Sequence, residues 1–229
     1  MIKVVNIFAI TINEHINECI YNKLMSLISH EKNERIKRYR FLDDIKRTLY
    51  GDILIRYLIC KANKMKNDEI IINRNKFGKP FIKDLTDFHF NISHSGEWVV
   101  CATNNKEVGI DVERIKNIDL NIAKRHFSEF EYKSLMKQRN KIDYFYELWT
   151  LKESYIKYIG TGLQLPLNSF SIKIKNDLAI LEPYSKNIYF KRYQLKGKYK
   201  LSVCTKKSRF AENIRYYSIK DILESNILY

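Results

Sequence analysis

The sequence predicts an α+β protein of two similar lobes, residues 1–104 and 105–229. Both halves mix helical and strand-like periodicity. A weak repeat relates them: Trp98-Val99-Val100-Cys101-Ala102 resembles Leu201-Ser202-Val203-Cys204-Thr205, each downstream of a long helical segment (46–62, 144–159) and a Pro-marked turn. With 7 Gly, 3 Pro and no Gly/Ser-rich or Pro-rich tract, nothing reads as a flexible linker. The lobes are therefore expected to meet tightly, with a ligand site between them.

Hydrophobic residues make up 45% and charged residues 29%, the balance of a globular chain rather than a disordered one. Lys and Arg number 41 against 26 Asp and Glu, a formal charge of +15. That excess calls for a polyanionic partner: nucleic acid, acidic membrane, a phosphate-rich small molecule or an acidic protein. Cys19, Cys60, Cys101 and Cys204 are far apart and form no C-x-x-C pair, which argues against a disulfide framework or a zinc site and for a reducing cytoplasm. Met1 to Ile10 contains Lys3 and Asn6 and reads as a first strand, not a signal peptide. No apolar run approaches the roughly 20 residues that a membrane helix needs.

Ile16, Ile20, Leu24, Leu27 and Ile28 give helical spacing over 15–29, and Ser29 is placed to cap a second helix carrying Lys32, Arg35, Lys37, Arg38 and Arg40. That charge run is either a solvated face or a phosphate-binding edge. Residues 46–62 predict a helix apolar on most sides, hence buried. A short strand over 70–73, the turn Phe77-Gly78-Lys79-Pro80 and a strand from Phe81 follow. Strands over 88–92 and 97–103 flank an expected turn, Ser93-His94-Ser95-Gly96. Ser93 and His94 beside a lysine turn suggest an anion pocket. No acid is placed to orient the histidine, which argues against a nucleophilic triad.

Val108, Ile110 and Val112 alternate with Gly109, Asp111 and Glu113, the period of a half-buried strand. Both carboxylates leave its polar face, where Gly109 is expected to let a ligand approach the backbone. Two acids one pleat apart either sit in solvent or share a hard cation such as Mg²⁺, which one or two protein carboxylates commonly hold. Ser128 and Glu131 form a capping box that starts a helix over 128–137. Leu148, Leu151, Tyr155 and Tyr158 make the apolar stripe of a helix over 144–159, ended by Gly160 or Gly162. Glu153 and Lys157 lie one turn apart on another face, as an exposed ion pair or as metal and phosphate ligands. Strands over 170–174, 178–181, 188–194, 199–204 and 216–218 and a helix over 219–224 complete the chain.

Phe77-Gly78-Lys79-Pro80, Phe90-Asn91-Ile92-Ser93-His94-Ser95, Val108-Gly109-Ile110-Asp111-Val112-Glu113 and Trp149-Thr150-Leu151-Lys152-Glu153-Ser154-Tyr155-Ile156-Lys157 resemble, in order and spacing, the motifs of the 4′-phosphopantetheinyl transferases. The length and basic N-terminal segment are similar to the long, surfactin-synthetase-activating type. The resemblance implies two pseudo-equivalent lobes with coenzyme A and Mg²⁺ between them. It also implies transfer of the phosphopantetheine arm to a serine of an apo acyl or peptidyl carrier protein, with release of adenosine 3′,5′-bisphosphate. Asp111, Glu113 and Glu153 match the metal ligands of that family. Lys79, Ser93 and His94 match positions at the coenzyme A phosphates, Lys32 and Arg35 the basic pair near the 3′-phosphate, and Thr48 a position near the adenosine. Lys157 is expected to neutralise the attacked phosphate, and Glu153, directly or through a water, to take the serine proton. Glu131 matches a common acidic position of the family, so capping and support of catalysis both fit it. The resemblance further implies a cytoplasmic monomer that docks acidic carriers at 115–130 and binds neither nucleic acid nor membrane.

Two rival readings stand beside this one. The charge with 16 Tyr and 12 Phe suits RNA, but three acids in the expected site would repel its backbone. A different Mg²⁺-dependent phosphotransferase acting on nucleotides lacks a Gly-rich phosphate loop here.

Overall fold

In the computed structural model, which describes residues 4–183, 185 and 187–229, helices and strands are mixed throughout. Of the first strand expected over 1–10, residues 1–3 lie outside the described set. The first half runs β1 (Asn6–Thr11), α1 (Glu18–Ser26), α2 (His30–Lys37), α3 (Leu42–Asn63), β2 (Ile72–Arg74), β3 (Pro80–Ile82), β4 (His89–Ser95) and β5 (Trp98–Asn104). It continues with β6 (Val108–Arg114), α4 (Asn121–His126), α5 (Glu129–Met136), α6 (Lys141–Ile159), β7 (Ser171–Lys175), β8 (Leu178–Glu182), β9 (Tyr189–Tyr193), β10 (Tyr199–Thr205), β11 (Arg215–Tyr217) and α7 (Ile219–Glu224).

Two sheets form the centre, one in the order β11-β1-β5-β4 and one in the order β6-β10-β9. The repeated pentapeptides lie in β5 and β10, each an inner strand with a partner on either side. Alternation then divides the side chains. Ile7, Ala9, Val100 and Ala102 of the first sheet close on Ile110, Val112, Leu201 and Val203 of the second, giving one apolar layer between them. Each Val, Leu or Ile among them, fully withdrawn from water, contributes about 1.5–3 kcal/mol. On the outer face of the first sheet, Phe8, Ile10, Val99 and Cys101 pack with Leu49, Tyr50, Ile53 and Leu54 of α3. α3 starts at Leu42, earlier than its apolar pattern indicates, because Asp43 and Asp44 suit a helix N-terminus. It ends at Lys64, whose left-handed backbone (φ 55) lets its N–H reach the Cys60 carbonyl. α6 starts at Lys141 under an Asn140 cap and stops at Gly160 (φ 75), whose N–H reaches the Ile156 carbonyl at 2.8 Å.

α6 covers the outer face of the second sheet, and this corrects the reading of Gly109. A Cβ on Gly109 would lie 2.0 Å from the Ser154 carbonyl oxygen and 2.3 Å from the Tyr158 nitrogen, both backbone atoms of α6. The missing side chain admits a helix, not a ligand, so β6 is buried on both faces for most of its length. The turn expected at 93–96 is also shorter: Ser93, His94 and Ser95 continue β4, and the reversal falls at Gly96 (φ 56). Smaller shifts affect the helix expected over 15–29, which spans Glu18–Ser26, and the strand expected over 70–73, which spans Ile72–Arg74. The C-terminal segment returns to the start of the chain. β11 pairs parallel with β1, and Ile219 and Ile222 of α7 join the core around α3.

Candidate active site

β4 and β6 are edge strands of different sheets and meet side by side through side chains. Asn91 Oδ1, Ser93 Oγ and Ser95 Oγ accept the N–H groups of Ile110, Val112 and Arg114 at 2.9, 3.4 and 3.1 Å. Every second residue of β4 thus satisfies every second donor of β6, an edge ladder that would otherwise go unpaired. The same serines grip the acids: Ser93 donates to Asp111 Oδ1 at 2.9 Å and Ser95 to Glu113 Oε2 at 2.8 Å. From α6, Lys157 Nζ donates to Asp111 Oδ1 at 2.6 Å and to Ser93 Oγ at 2.9 Å.

Beside this cluster opens a cavity of about 400 Å³ with walls from α2, α3, the 77–80 turn, β4 and α6. Lys32, Arg35, Thr48, Lys79, His94, Glu153 and Lys157, picked out by sequence from five separate segments, all line it. Ser93 and Asp111 lie directly behind Lys157, and Glu113 one pleat further along β6. Arg47 and Arg74 add cations to the wall against the acids Asp52 and Glu153, so the cavity is strongly positive. Lys32 is 3.5 Å from Asp52, which Arg56 holds at 2.8 Å.

The acids shift one another. Burial first, and then the charge of Asp111, raise the pKa of both Glu113 and Glu153; Lys157 pulls each back. His94 is held below the ordinary histidine value by desolvation at the cavity wall and by the nearby charges of Arg47 and Lys157. Among the described residues no three Asp, Glu, His or Cys side chains stand close enough together to form a ready metal cluster. Asp111 is paired instead with the Lys157 ammonium, at 2.6 Å.

Arg47, Tyr39, Asp52 and Arg74 line the cavity without having been singled out from sequence. Arg47 Nη1 donates to the Gly96 carbonyl at 2.7 Å and ties α3 to the β4–β5 turn. Its only sequence signal is the Asp43/Asp44/Arg47 spacing, which looks like ordinary helix-surface pairing. Glu131 both caps α5, accepting Ser128 N–H at 2.9 Å, and binds the fully buried Lys152 at 2.6 Å. Lys152 also donates to the Phe170 carbonyl at 2.7 Å, so this pair joins α5, α6 and β7 away from the cavity wall.

A family model described as 4′-phosphopantetheinyl transferase, N-terminal, matches residues 17–106, and one for the 4′-phosphopantetheinyl transferase superfamily matches residues 107–204. The chain belongs to this family. The 4′-phosphopantetheinyl transferase Sfp of Bacillus subtilis (strain 168) is 41% identical over 222 residues, which cover 95% of this chain and 99% of that one. The transferase psf-1 of Bacillus pumilus is 38% identical over 88% of each chain. The transferase gsp of Aneurinibacillus migulanus is 40% identical, over 86% of this chain and 84% of its own. The protein is accordingly a phosphopantetheinyl transferase that moves the 4′-phosphopantetheine arm of coenzyme A to a serine of an apo carrier protein, releasing adenosine 3′,5′-bisphosphate. Three of the four transferase motifs contribute side chains to the one cavity, and the fourth, on β6, supplies the acids behind Lys157.

Proposed function

We propose that the positive cavity holds coenzyme A and that phosphoryl transfer occurs at its α6 end, where Glu153 and Lys157 adjoin Asp111. The observation that carries this reading is the shared wall: cations from α2, α3 and the 77–80 turn line the same cavity as Glu153 and Lys157. A ligand with a 3′-phosphate at one end and a pyrophosphate at the other suits that charge arrangement. Lys32 and Arg35 take the 3′-phosphate, Thr48 lies by the adenosine, and Lys79, Ser93 and His94 hold the phosphates between. His94 meets those phosphates as a hydrogen-bond donor.

Mg²⁺ fits the acids on two grounds. Asp111 Oδ2 is buried and, among the described residues, has no hydrogen-bond partner, and the mutual repulsion of Asp111, Glu113 and Glu153 calls for a cation. These three side chains would hold it, and when bound it supplies charge neutralisation to the pyrophosphate. Lys157 then exchanges Asp111 for the attacked phosphate, whose growing charge it neutralises. Glu153 takes the proton from the carrier serine as that oxygen bonds to phosphorus and the bond to the bisphosphate breaks. Lys157, one helical turn from Glu153, keeps donor and acceptor aligned.

The two-sheet arrangement supports a division into pseudo-equivalent lobes at 104/105, with residues 210–229 crossing back to the first. The surface charge favours acidic carriers, and Ile122 and Phe130, 38% and 44% exposed, give the 115–130 ledge its apolar contacts. A cytoplasmic setting suits the four free cysteines, three of them buried, and a monomer completes the proposal. Incubation with coenzyme A and several apo carrier domains, followed by intact-mass spectrometry, tests the reading. Carriers should gain one phosphopantetheine with Mg²⁺ and none with excess chelator, and equal loading under both conditions refutes the metal assignment. Glu153→Gln should abolish turnover while leaving coenzyme A binding measurable, and near-normal turnover removes Glu153 as the base.

A further inference from the structure

Glu107 stands just before β6 and outside the wall of the coenzyme A cavity, yet its carboxylate pairs with Lys79, which lines that wall. The other side of Glu107 contacts His89 Nδ1 at 3.0 Å, and His89 Nε2 contacts the Thr86 carbonyl at 3.1 Å. Lys79 Nζ also donates to the Tyr158 carbonyl at 2.9 Å, at the end of α6. A chain of contacts thus runs from Thr86 through His89 and Glu107 to Lys79 and on to α6. Despite desolvation, which acts upward, hydrogen bonds from His89 and Lys79 hold the Glu107 pKa down to about 2, so it is ionised at neutral pH. An ammonium has three protons. Two are used on Glu107 and Tyr158, and among the described residues the third has no partner.

We propose that Glu107 is a positioning residue for substrate: it fixes the Lys79 ammonium between β6 and α6 so that its remaining proton points at bound coenzyme A. This rests on the reading of the cavity as the coenzyme A site. A four-carbon side chain with free rotamers would otherwise be ordered only on binding. Glu107 touches no reacting atom, so its removal acts on substrate binding and not on the chemical step.

The test is a double-mutant cycle on the full-length protein, with Kd for coenzyme A measured by calorimetry and kcat and KM by carrier loading. Glu107→Gln should raise Kd and KM for coenzyme A by about three- to tenfold with kcat within about twofold. Lys79→Met should raise them at least as much, and Glu107→Gln should add nothing further in the Lys79→Met background. Glu107→Asp should recover part of the loss. Unchanged or tighter coenzyme A binding by Glu107→Gln, with Lys79→Met still weakened, overturns the proposal alone. An equal loss from Glu107→Gln in both backgrounds overturns it too, since Glu107 would then act independently of Lys79. Unchanged binding by Lys79→Met removes Lys79 from the coenzyme A site, and the proposal falls with that reading.

Discussion

Replacing Gly109 by Ala tests the link between sheet packing and chemistry. The added methyl would meet Ser154 O, Tyr158 N and Lys157 C at 2.0, 2.3 and 2.9 Å, all of them backbone. No side-chain rotation relieves such contacts, so α6 must retreat from β6 by at least about 1 Å. Overpacking of this kind costs about 1–3 kcal/mol, equivalent to a fall in melting temperature of about 2–4 °C for each kcal/mol in a chain of this size. The functional effect should be larger. The contact between Lys157 Nζ and Asp111 Oδ1 is 2.6 Å, and a 1 Å retreat takes it beyond hydrogen-bond range. Because Glu153 and Lys157 ride on α6 while Asp111 rides on β6, the carrier-loading rate should fall by about 100-fold. Stopped samples weighed by mass spectrometry measure the rate, and differential scanning calorimetry measures the stability. Gly51→Ala in α3 is the control: there the methyl would meet only side-chain atoms of Val99 and Ile92, at 3.4 and 3.6 Å. It should leave stability unchanged or raise it by up to about 1 kcal/mol. A Gly109→Ala variant that loads carriers at the native rate refutes the idea that α6 sits rigidly on β6.

The buried Lys152–Glu131 pair should behave as structure rather than catalysis. Lys152→Met leaves the Glu131 carboxylate without its cation and should destabilise the protein by about 3–5 kcal/mol in urea titrations, with a loss under 1 kcal/mol counting against the pairing. Glu113 has a raised pKa from burial and from Asp111, so its ionised form opposes folding at neutral pH. Glu113→Gln should therefore raise the melting temperature of the chelator-treated protein at pH 7, and the gain should vanish as pH falls through the raised pKa to below the ordinary carboxylate value. Glu107 has the opposite sign. Its pKa is lowered to about 2, so the stability that it adds through Lys79 and His89 is present above the ordinary value of 4.5 and lost as pH falls toward 2. The difference in acid unfolding between wild type and Glu107→Gln should close over that interval.

Much of this was legible because the signals are local. The alternation over 108–113 puts Val108, Ile110 and Val112 in the apolar layer and sends Asp111 and Glu113 to the opposite face, as the period of two requires. Gly160 ends α6 and Ser128 with Glu131 starts α5, since a cap depends on residues three or four apart. The four motifs that resemble the transferase family mark the residues that line or back the cavity.

The rest depends on partners far along the chain. Nothing within 108–113 says that the space above Gly109 is filled by residues 154–158, or that Asn91, Ser93 and Ser95 will satisfy the donors of β6 and so extend β4 past the expected turn. The roles of Glu107 and Lys152 likewise exist only once Lys79, His89, Glu131 and Phe170 have been brought to them. Sequence alone determined the periodicities, the caps and the family to which the chain belongs, because each is written in short stretches of adjacent residues. Tertiary structure decided which faces are covered, which charges pair and where the cavity opens, because desolvation and ion pairing depend on distances that backbone connectivity does not set.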